Sequence, residues 1–194
     1  MRAFIAVNLD DGLRRAIAET QDALRATGAD VKWVRAESMH LTLKFLGWVE
    51  DARIPEIVKA VGTALEGQAP FRLRVEGVGG FPSPTAPRVI WVGVKEGAAE
   101  LAELSRLVED AVEPLGFERE GRPFSPHATV GRAKGAGGRQ GLTAAMREAA
   151  EREFGEMQVT KVELMRSDLR PTGPIYTSQR VFELTTTRAR QGEG

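Results

Sequence analysis

A single shift of 87 residues brings the first half of the chain into register with the second. The two histidines set the shift, since 127 − 40 = 87. Under it "SMHLT" falls on "SPHAT", so both copies contain Ser-x-His-x-Thr, and "PTAP" falls on "PTGP". Chance can align one common helix with another. It is a poor explanation for several elements and two motifs at one offset, so the sequence predicts an internal duplication.

Hydrophobic periodicity predicts the elements of each copy. Short continuous apolar runs such as "AFIAV" indicate buried strands, and apolar residues at helical spacing indicate helices, the first capped by Asp10. The Gly- and Pro-rich segment 79–87 should be a connection. The predicted helices are 11–26, 54–65, 101–115 and 142–154, and the predicted strands are 3–7, 31–34, 40–46, 71–78, 89–94, 127–131, 159–165 and 175–184.

The repeated order is that of a βαβ–αβ unit present in two copies. Such a unit predicts strand pairing like that of a split βαβ arrangement, in a molecule with pseudo-twofold symmetry. One bilobal domain should span 1–184, with repeats at about 1–84 and 88–171. The strand at 175–184 should complete the sheet left open by the second half, and 185–194 should be a polar tail.

Composition excludes several classes of function. The 194 residues contain no cysteine, which removes disulfides, cysteine metal sites and thiol nucleophiles together. Lys and Arg number 27, as do Asp and Glu, so no bulk charge attracts nucleic acid over long range. The first residues resemble neither a signal peptide nor a membrane span. We therefore expect a cytoplasmic protein that does not bind membranes, and nothing demands more than a monomer.

The paired motifs carry the chemistry. Side chains alternate along a strand, so His40 and Thr42 should project from one face, and His127 and Thr129 from the equivalent face of the second copy. The intervening residues should face away from them: Leu41, Leu43 and Phe45 in the first copy, and Ala128 and Val130 in the second. A pseudo-twofold axis can bring the two projecting pairs together in one cleft.

Two imidazoles in one cleft suit general acid–base catalysis. The pKa of histidine, about 6.5, makes both protonation states available near neutral pH, and threonine hydroxyls can donate to phosphoryl oxygens. The alternatives are a structural histidine and a metal site completed by carboxylates, although no HExxH spacing occurs. Both histidines fall in the same motif, which favours catalysis, but the symmetry leaves open which one is the base.

The stretches "HLTLKFLG" and "HATVGRAK" resemble the paired His-x-Thr motifs of the 2H phosphoesterase superfamily. Together with "FIAV" and "FSPHATVGR", they resemble its RNA 2′,3′-cyclic phosphodiesterase branch, also called the 2′-5′ RNA ligase family. The resemblance runs from about Arg2 to Leu184. It implies an α+β fold of two pseudo-twofold-related lobes, each a mainly antiparallel sheet with helices on its outer face, and an active-site cleft between them.

The resemblance also implies the activity. The substrate would be RNA with a 2′,3′-cyclic phosphate end, such as a tRNA fragment, hydrolysed to a 2′-phosphate, with 2′-5′ ligation as a reverse or side activity. His40 would be the proton donor, His127 the proton acceptor, and Thr42 and Thr129 would hold phosphate oxygens, with no metal or other cofactor. The alternatives are an enzyme acting on small cyclic nucleotides or ADP-ribose cyclic phosphate, and a non-catalytic RNA-end binder.

Four further features are candidates for contact with the substrate. Arg132 could pair with phosphate, provided that Gly131 permits a bulge that turns it toward His127; an ordinary surface arginine is the alternative. Lys44 should share the face of His40, where it would attract phosphate or be solvated. Tyr176 could stack on a base or merely pack. The basic segment 134–141 could touch an RNA backbone, although a linker is the simpler interpretation.

Overall fold

A computed structural model describes residues 1–171 and 173–186. In this part of the chain nine strands and four α-helices form. They are β1 (Arg2–Asn8), α1 (Asp11–Arg25), β2 (Val31–Trp33), β3 (His40–Trp48), α2 (Ile54–Leu65), β4 (Phe71–Phe81), β5 (Val89–Glu96), α3 (Ala98–Val112), β6 (His127–Ala133), α4 (Arg139–Glu148), β7 (Glu153–Val159), β8 (Lys161–Arg170) and β9 (Gly173–Glu183). None of these helices is long and apolar enough to cross a membrane.

The strands form one curled sheet in the order β7-β4-β5-β6-β3-β1-β8-β9, and β2 also pairs with β6. All of the pairs are antiparallel. Pairing between β3 and β6 is limited to Leu41 opposite Ala128. The sheet therefore consists of a first lobe, β9-β8-β1-β3, and a second lobe, β6-β5-β4-β7, which meet at this pair. The α+β, two-lobed fold class is confirmed.

The pseudo-twofold axis passes through the pair that joins the lobes. Leu41 and Ala128 are themselves equivalent positions, since 128 − 41 = 87. The same shift carries α1, Asp11–Arg25, onto α3, Ala98–Val112, at both ends. Each half of the sequence contributes one long strand to the lobe that contains strands of the other half. Strand β4 of the first half pairs with β5, and β8 of the second half pairs with β1.

Helices cover the outer face of the sheet, and the main core lies between them. Helix α1 begins where Asp10 accepts a hydrogen bond from the Leu13 amide at 2.8 Å, which confirms the predicted cap. Its apolar stripe includes Leu13, Ile17 and Leu24, each at most 2% exposed. The other face of β1 holds a separate small cluster: Phe4, Ala6 and Met165, packed against Tyr176. This inner face is the one that faces the cleft.

Several predicted boundaries differ from the structure, and two of the differences change an element. The fourth helix ends at Glu148, and Glu153–Val159 is a strand, because this segment pairs with β4 and completes the edge of the second lobe. The predicted connection 79–87 begins as strand, since Phe81 still pairs with Val89. The closing strand, β9, pairs with β8 at the edge of the first lobe. Most of the predicted polar tail, from residue 187 onward, lies outside the described residues.

Candidate active site

The pairing of β3 with β6 brings the two His-x-Thr motifs together. Because Leu41 lies opposite Ala128 in an antiparallel pair, the register places His40 across from Thr129 and Thr42 across from His127. All four side chains are half-buried, whereas Leu41 and Ala128 between them are fully buried. The structure thus places both predicted pairs on one face, at the junction of the lobes.

Each imidazole is oriented by a carbonyl group of its own motif. The Nδ1 atom of His40 lies 2.8 Å from the carbonyl oxygen of Ser38, and that of His127 lies 2.7 Å from the carbonyl oxygen of Ser125. A carbonyl oxygen only accepts hydrogen bonds, so Nδ1 carries the proton in both rings. In each ring the Nε2 atom is left to take up or release a proton.

Aromatic rings enclose His40. The Phe4 ring stacks on the imidazole with centroids 4.7 Å apart, and Tyr176 meets it edge-on at 5.1 Å. Burial lowers the pKa of His40; the hydrogen bond to Ser38 opposes this, and the positive charges of Arg14 and His127 lower it further. Its environment in the unliganded protein therefore favours the neutral imidazole.

The second histidine has a matching aromatic wall. Phe81 meets the His127 ring edge-on at 5.0 Å, and Trp91 lies 6.4 Å away. Trp91 is the repeat equivalent of Phe4, since 91 − 4 = 87. Its indole rests against two glycines, because a Cβ at Gly79 would lie 2.2 Å, and one at Gly93 3.2 Å, from ring atoms. Sequence reasoning missed this wall, although aromatic residues at both equivalent positions were a usable signal.

A β-bulge follows Thr42 and reverses the alternation of β3. Ala6 pairs with Thr42, whereas the preceding residue, Ile5, pairs with Lys44, so Leu43 is the extra residue. Lys44 therefore turns toward the outer face and is 6% exposed, whereas Phe45 turns toward the cleft and is 64% exposed. The predictions that Lys44 shares the face of His40 and that Phe45 faces away from it are wrong.

Lys44 forms a buried ion pair instead. Its Nζ lies 2.7 Å from Oε1 of Glu109 on α3 and also donates to the carbonyl oxygen of Glu118. Burial alone would raise the pKa of Glu109, but hydrogen bonds from Lys44 and the Glu120 amide, together with nearby positive charges, leave that pKa lowered. Lys44 is thus neither a cleft residue nor a solvated lysine.

An equivalent bulge turns Arg132 toward the cleft. Trp91 pairs with Thr129, and the preceding Ile90 pairs with Gly131, so Val130 is the extra residue in β6. Arg132 then pairs with Val89 on the face that carries Trp91 and Thr129, and it is exposed. The sequence made the orientation of this arginine conditional on such a bulge. Phosphate binding by Arg132 stays a prediction.

Tyr176 lines the cleft from β9. It is half-buried against Phe4, with ring centroids 5.1 Å apart. Burial raises the pKa of its hydroxyl, and the nearby positive charges of Arg132 and Arg2 oppose the shift. Tyr176 therefore packs in the cleft wall, and stacking on a nucleobase stays a prediction. Segment 134–141 comprises the loop after β6 and the first three residues of α4, and its contact with RNA also stays a prediction.

The arrangement suits proton transfer at a bound phosphate. Two imidazoles with free Nε2 atoms can act as acid and base, and two threonine hydroxyls beside them can donate to oxygen. Within residues 1–171 and 173–186, no group of three His, Asp or Glu side chains is placed to hold a metal ion.

Comparison with known proteins identifies the family. Residues 7–91 and 92–176 each match the LigT like Phosphoesterase family. The chain is 42% identical over 184 residues to the RNA 2′,3′-cyclic phosphodiesterase of Methanothermobacter thermautotrophicus, covering 95% of this chain and 99% of the relative. It is 40% identical over 185 residues to the protein of the same name from Archaeoglobus fulgidus, covering 94% and 100%.

Solved structures agree with the sequence comparison. The protein TT0787 of Thermus thermophilus superposes with a TM-score of 0.82 at 31% identity, covering 97% of this chain and all of that one. Escherichia coli LigT without ligand superposes with a TM-score of 0.76 at 25% identity, covering 95% and 98%. Two matches to one family, together spanning most of the chain, show that this protein belongs to the LigT-like 2H phosphoesterases.

Proposed function

We propose that this protein hydrolyses the 2′,3′-cyclic phosphate end of RNA to a 2′-phosphomonoester by acid–base catalysis between two histidines. The observation that carries the proposal is the meeting of His40, Thr42, His127 and Thr129 on one face, across a single strand pair. The names of the relatives support the substrate class, since both relatives described above are RNA 2′,3′-cyclic phosphodiesterases.

The proposed reaction moves two protons. Nε2 of neutral His127 takes a proton from water as the water oxygen bonds to phosphorus. Protonated His40 gives a proton to the 3′-oxygen as the bond between that oxygen and phosphorus breaks. The products are a 2′-phosphate and a 3′-hydroxyl. His127 is left protonated and His40 neutral, and exchange with solvent restores the starting state. Thr42 and Thr129 donate to the non-bridging oxygens throughout.

The acid role of His40 depends on the substrate. Burial lowers the pKa of His40 in the unliganded protein, whereas an acid must begin protonated. The negative charge of a bound cyclic phosphate favours the protonated ring. The opposite assignment, with His127 as the acid, is the alternative that the pseudo-symmetry permits.

Ligation follows from the same geometry. If the 5′-hydroxyl of a second RNA replaces water, the same proton transfers yield a 2′-5′ phosphodiester. A monomer suffices for either reaction, because both histidines come from one chain, and a tRNA fragment is a suitable RNA substrate.

Replacing either histidine tests the mechanism. We expect His40→Ala and His127→Ala each to lower turnover of a cyclic-phosphate oligonucleotide by about 10²- to 10⁴-fold, with an unchanged circular dichroism spectrum. Thr42→Val should weaken turnover, and Thr42→Ser, which keeps the hydroxyl, should restore most of it. Near-normal activity of His127→Ala would show that the two-histidine mechanism is wrong.

The same assay separates the alternatives. EDTA should leave activity unchanged, whereas loss of activity that a divalent metal restores would indicate a metal enzyme. Tight binding of the oligonucleotide without any phosphomonoester product would indicate an RNA-end binder. Turnover of ADP-ribose cyclic phosphate or of a cyclic mononucleotide, with none of an oligonucleotide, would assign the enzyme to small substrates.

A further inference from the structure

The inner face of the first lobe continues beyond His40 as rows of facing residues on β1 and β3. From the axis outward, the rows are Asn8 with His40, Ala6 with Thr42, Phe4 with Phe45, and Arg2 with Trp48. On β8, Met165 extends the Phe4 row and Ser167 the Arg2 row. Residues directly paired in a sheet project from the same face. The surface of the outer two rows therefore continues directly from the catalytic groups.

The outer rows expose large aromatic side chains. Phe45 is 64% exposed and Trp48 is 77% exposed, the highest fraction among the large hydrophobic residues of the described chain. The Phe45 ring lies 6.2 Å from Phe4, which in turn stacks on His40. Two residues of strand separate the Phe4 row from the Arg2 row, a distance of about 6.6 Å. The aromatic rings thus follow one another outward from the acid–base pair.

Positive charge accompanies these rings. Arg2 is exposed beside Trp48, and its charge, like that of Arg132, acts on the Tyr176 hydroxyl. In the described part of the chain, Arg2 forms no salt bridge. Exposed rings together with unpaired cations are the features with which proteins bind single-stranded nucleic acid, by stacking on bases and attracting phosphates.

Among the residues that the structure describes, the second lobe offers no equivalent surface. The shift of 87 takes Phe45 to Arg132 and Trp48 to Gly135. The catalytic groups are therefore symmetric, whereas the exposed rings lie on one side only. An RNA with a 3′-terminal cyclic phosphate is asymmetric in the same way, because its chain continues only in the 5′ direction.

We propose that Arg2, Phe45 and Trp48 form a track that binds the nucleotides immediately 5′ of the terminal cyclic phosphate in single-stranded RNA. This inference rests on the proposed function, since it places the terminal phosphate between the two histidines. The track makes the enzyme prefer an oligonucleotide to a mononucleotide, and it directs the 5′ portion of the substrate along the first lobe.

The test compares two substrates in three variants. Trp48→Ala should lower kcat/KM for a pentanucleotide ending in a 2′,3′-cyclic phosphate by about 5- to 100-fold, mainly through KM. It should leave kcat/KM for adenosine 2′,3′-cyclic phosphate unchanged. Trp48→Phe should restore most of the loss, because it restores a stacking ring. Ile175→Ala, which removes a 41%-exposed apolar residue of β9, is the matched control.

Direct binding separates failure of the track from failure of the proposed function. We expect Trp48→Ala and Arg2→Gln to weaken binding of the fluorescein-labelled 2′-phosphate product RNA, and Arg2→Gln also to reduce its salt dependence. If the wild type binds this RNA through Trp48 but hydrolyses neither substrate, the track holds and the proposed function is wrong. Equal losses on both substrates, or unchanged RNA binding, would overturn the track. So would a dimer that Trp48→Ala converts to monomers without affecting RNA binding.

Discussion

The surroundings of His40 determine how activity should depend on pH. The reaction needs one imidazole protonated and the other neutral, so protonation of both rings at low pH removes the base. Burial lowers the pKa of His40 from 6.5, so we expect the acid limb of kcat/KM to have a midpoint below 6.5.

Opening the wall around His40 should move that midpoint. Phe4 stacks on the imidazole at 4.7 Å, so Phe4→Ala admits water to the ring and should shift the acid limb upward, toward 6.5. Phe4→Leu keeps an apolar cover and should leave the limb close to that of the wild type. A pH profile of kcat/KM for the cyclic-phosphate oligonucleotide measures both. An acid limb at or above 6.5 in the wild type would contradict the argument.

At the scale of single elements, the bulges in β3 and β6 decide which side chains reach the cleft. Regular alternation predicted the positions of His40, Thr42, His127 and Thr129, because all four precede the bulges. Regular alternation gave the wrong face for Lys44 and Phe45, because both residues follow the bulge in β3. Nothing local in "HLTLKFLGW" marks Leu43 as the extra residue, since the bulge arises from pairing with β1 and a buried partner for Lys44 on α3.

The ion pair that holds Lys44 should matter for stability and not for catalysis. The side chains of Lys44 and Glu109 are 5% and 16% exposed. Lys44→Met therefore leaves a largely buried carboxylate without its partner and should cost about 3 kcal/mol of unfolding free energy. Urea denaturation should show this loss, while kcat for the cyclic-phosphate substrate stays near that of the wild type below the transition.

The matched variant removes both charges. Lys44→Met with Glu109→Gln should recover part of the lost stability, because no charge is then left unpaired. A large fall in kcat for Lys44→Met at unchanged stability would indicate that Lys44 contacts the phosphate, and it would contradict the observed pairing with Glu109.

At the scale of the whole molecule, the repeat in the sequence predicted more than the individual elements did. One offset of 87 related the first predicted helix to the third, which the structure aligns at both ends, and it identified the four motif residues that meet at the axis. It could not show that β4 and β8 exchange lobes, because an offset compares positions and carries no information on pairing. The track residues were also missed, since pairing with β1 orients them. Descent of the halves from one duplicated unit stays a prediction.

The exchange of elements between lobes makes the two halves interdependent. Strand β4 of the first half pairs with β5, and β8 of the second half pairs with β1. Helix α1 packs on β7, and α3 packs on β3. Neither lobe can therefore be completed by residues of one half alone. We expect equilibrium unfolding in urea to be a single transition, with far-ultraviolet circular dichroism and tryptophan fluorescence giving the same midpoint.

Core substitutions in the two equivalent helices test this coupling. Leu13 on α1 and Leu101 on α3 are at most 1% exposed, so Leu13→Ala and Leu101→Ala should each cost about 2–5 kcal/mol. Because the lobes are interlocked, each change should lower the common midpoint of both probes together, whichever helix carries it. Two separated transitions, with Leu13→Ala moving one and Leu101→Ala moving the other, would show instead that the lobes unfold independently.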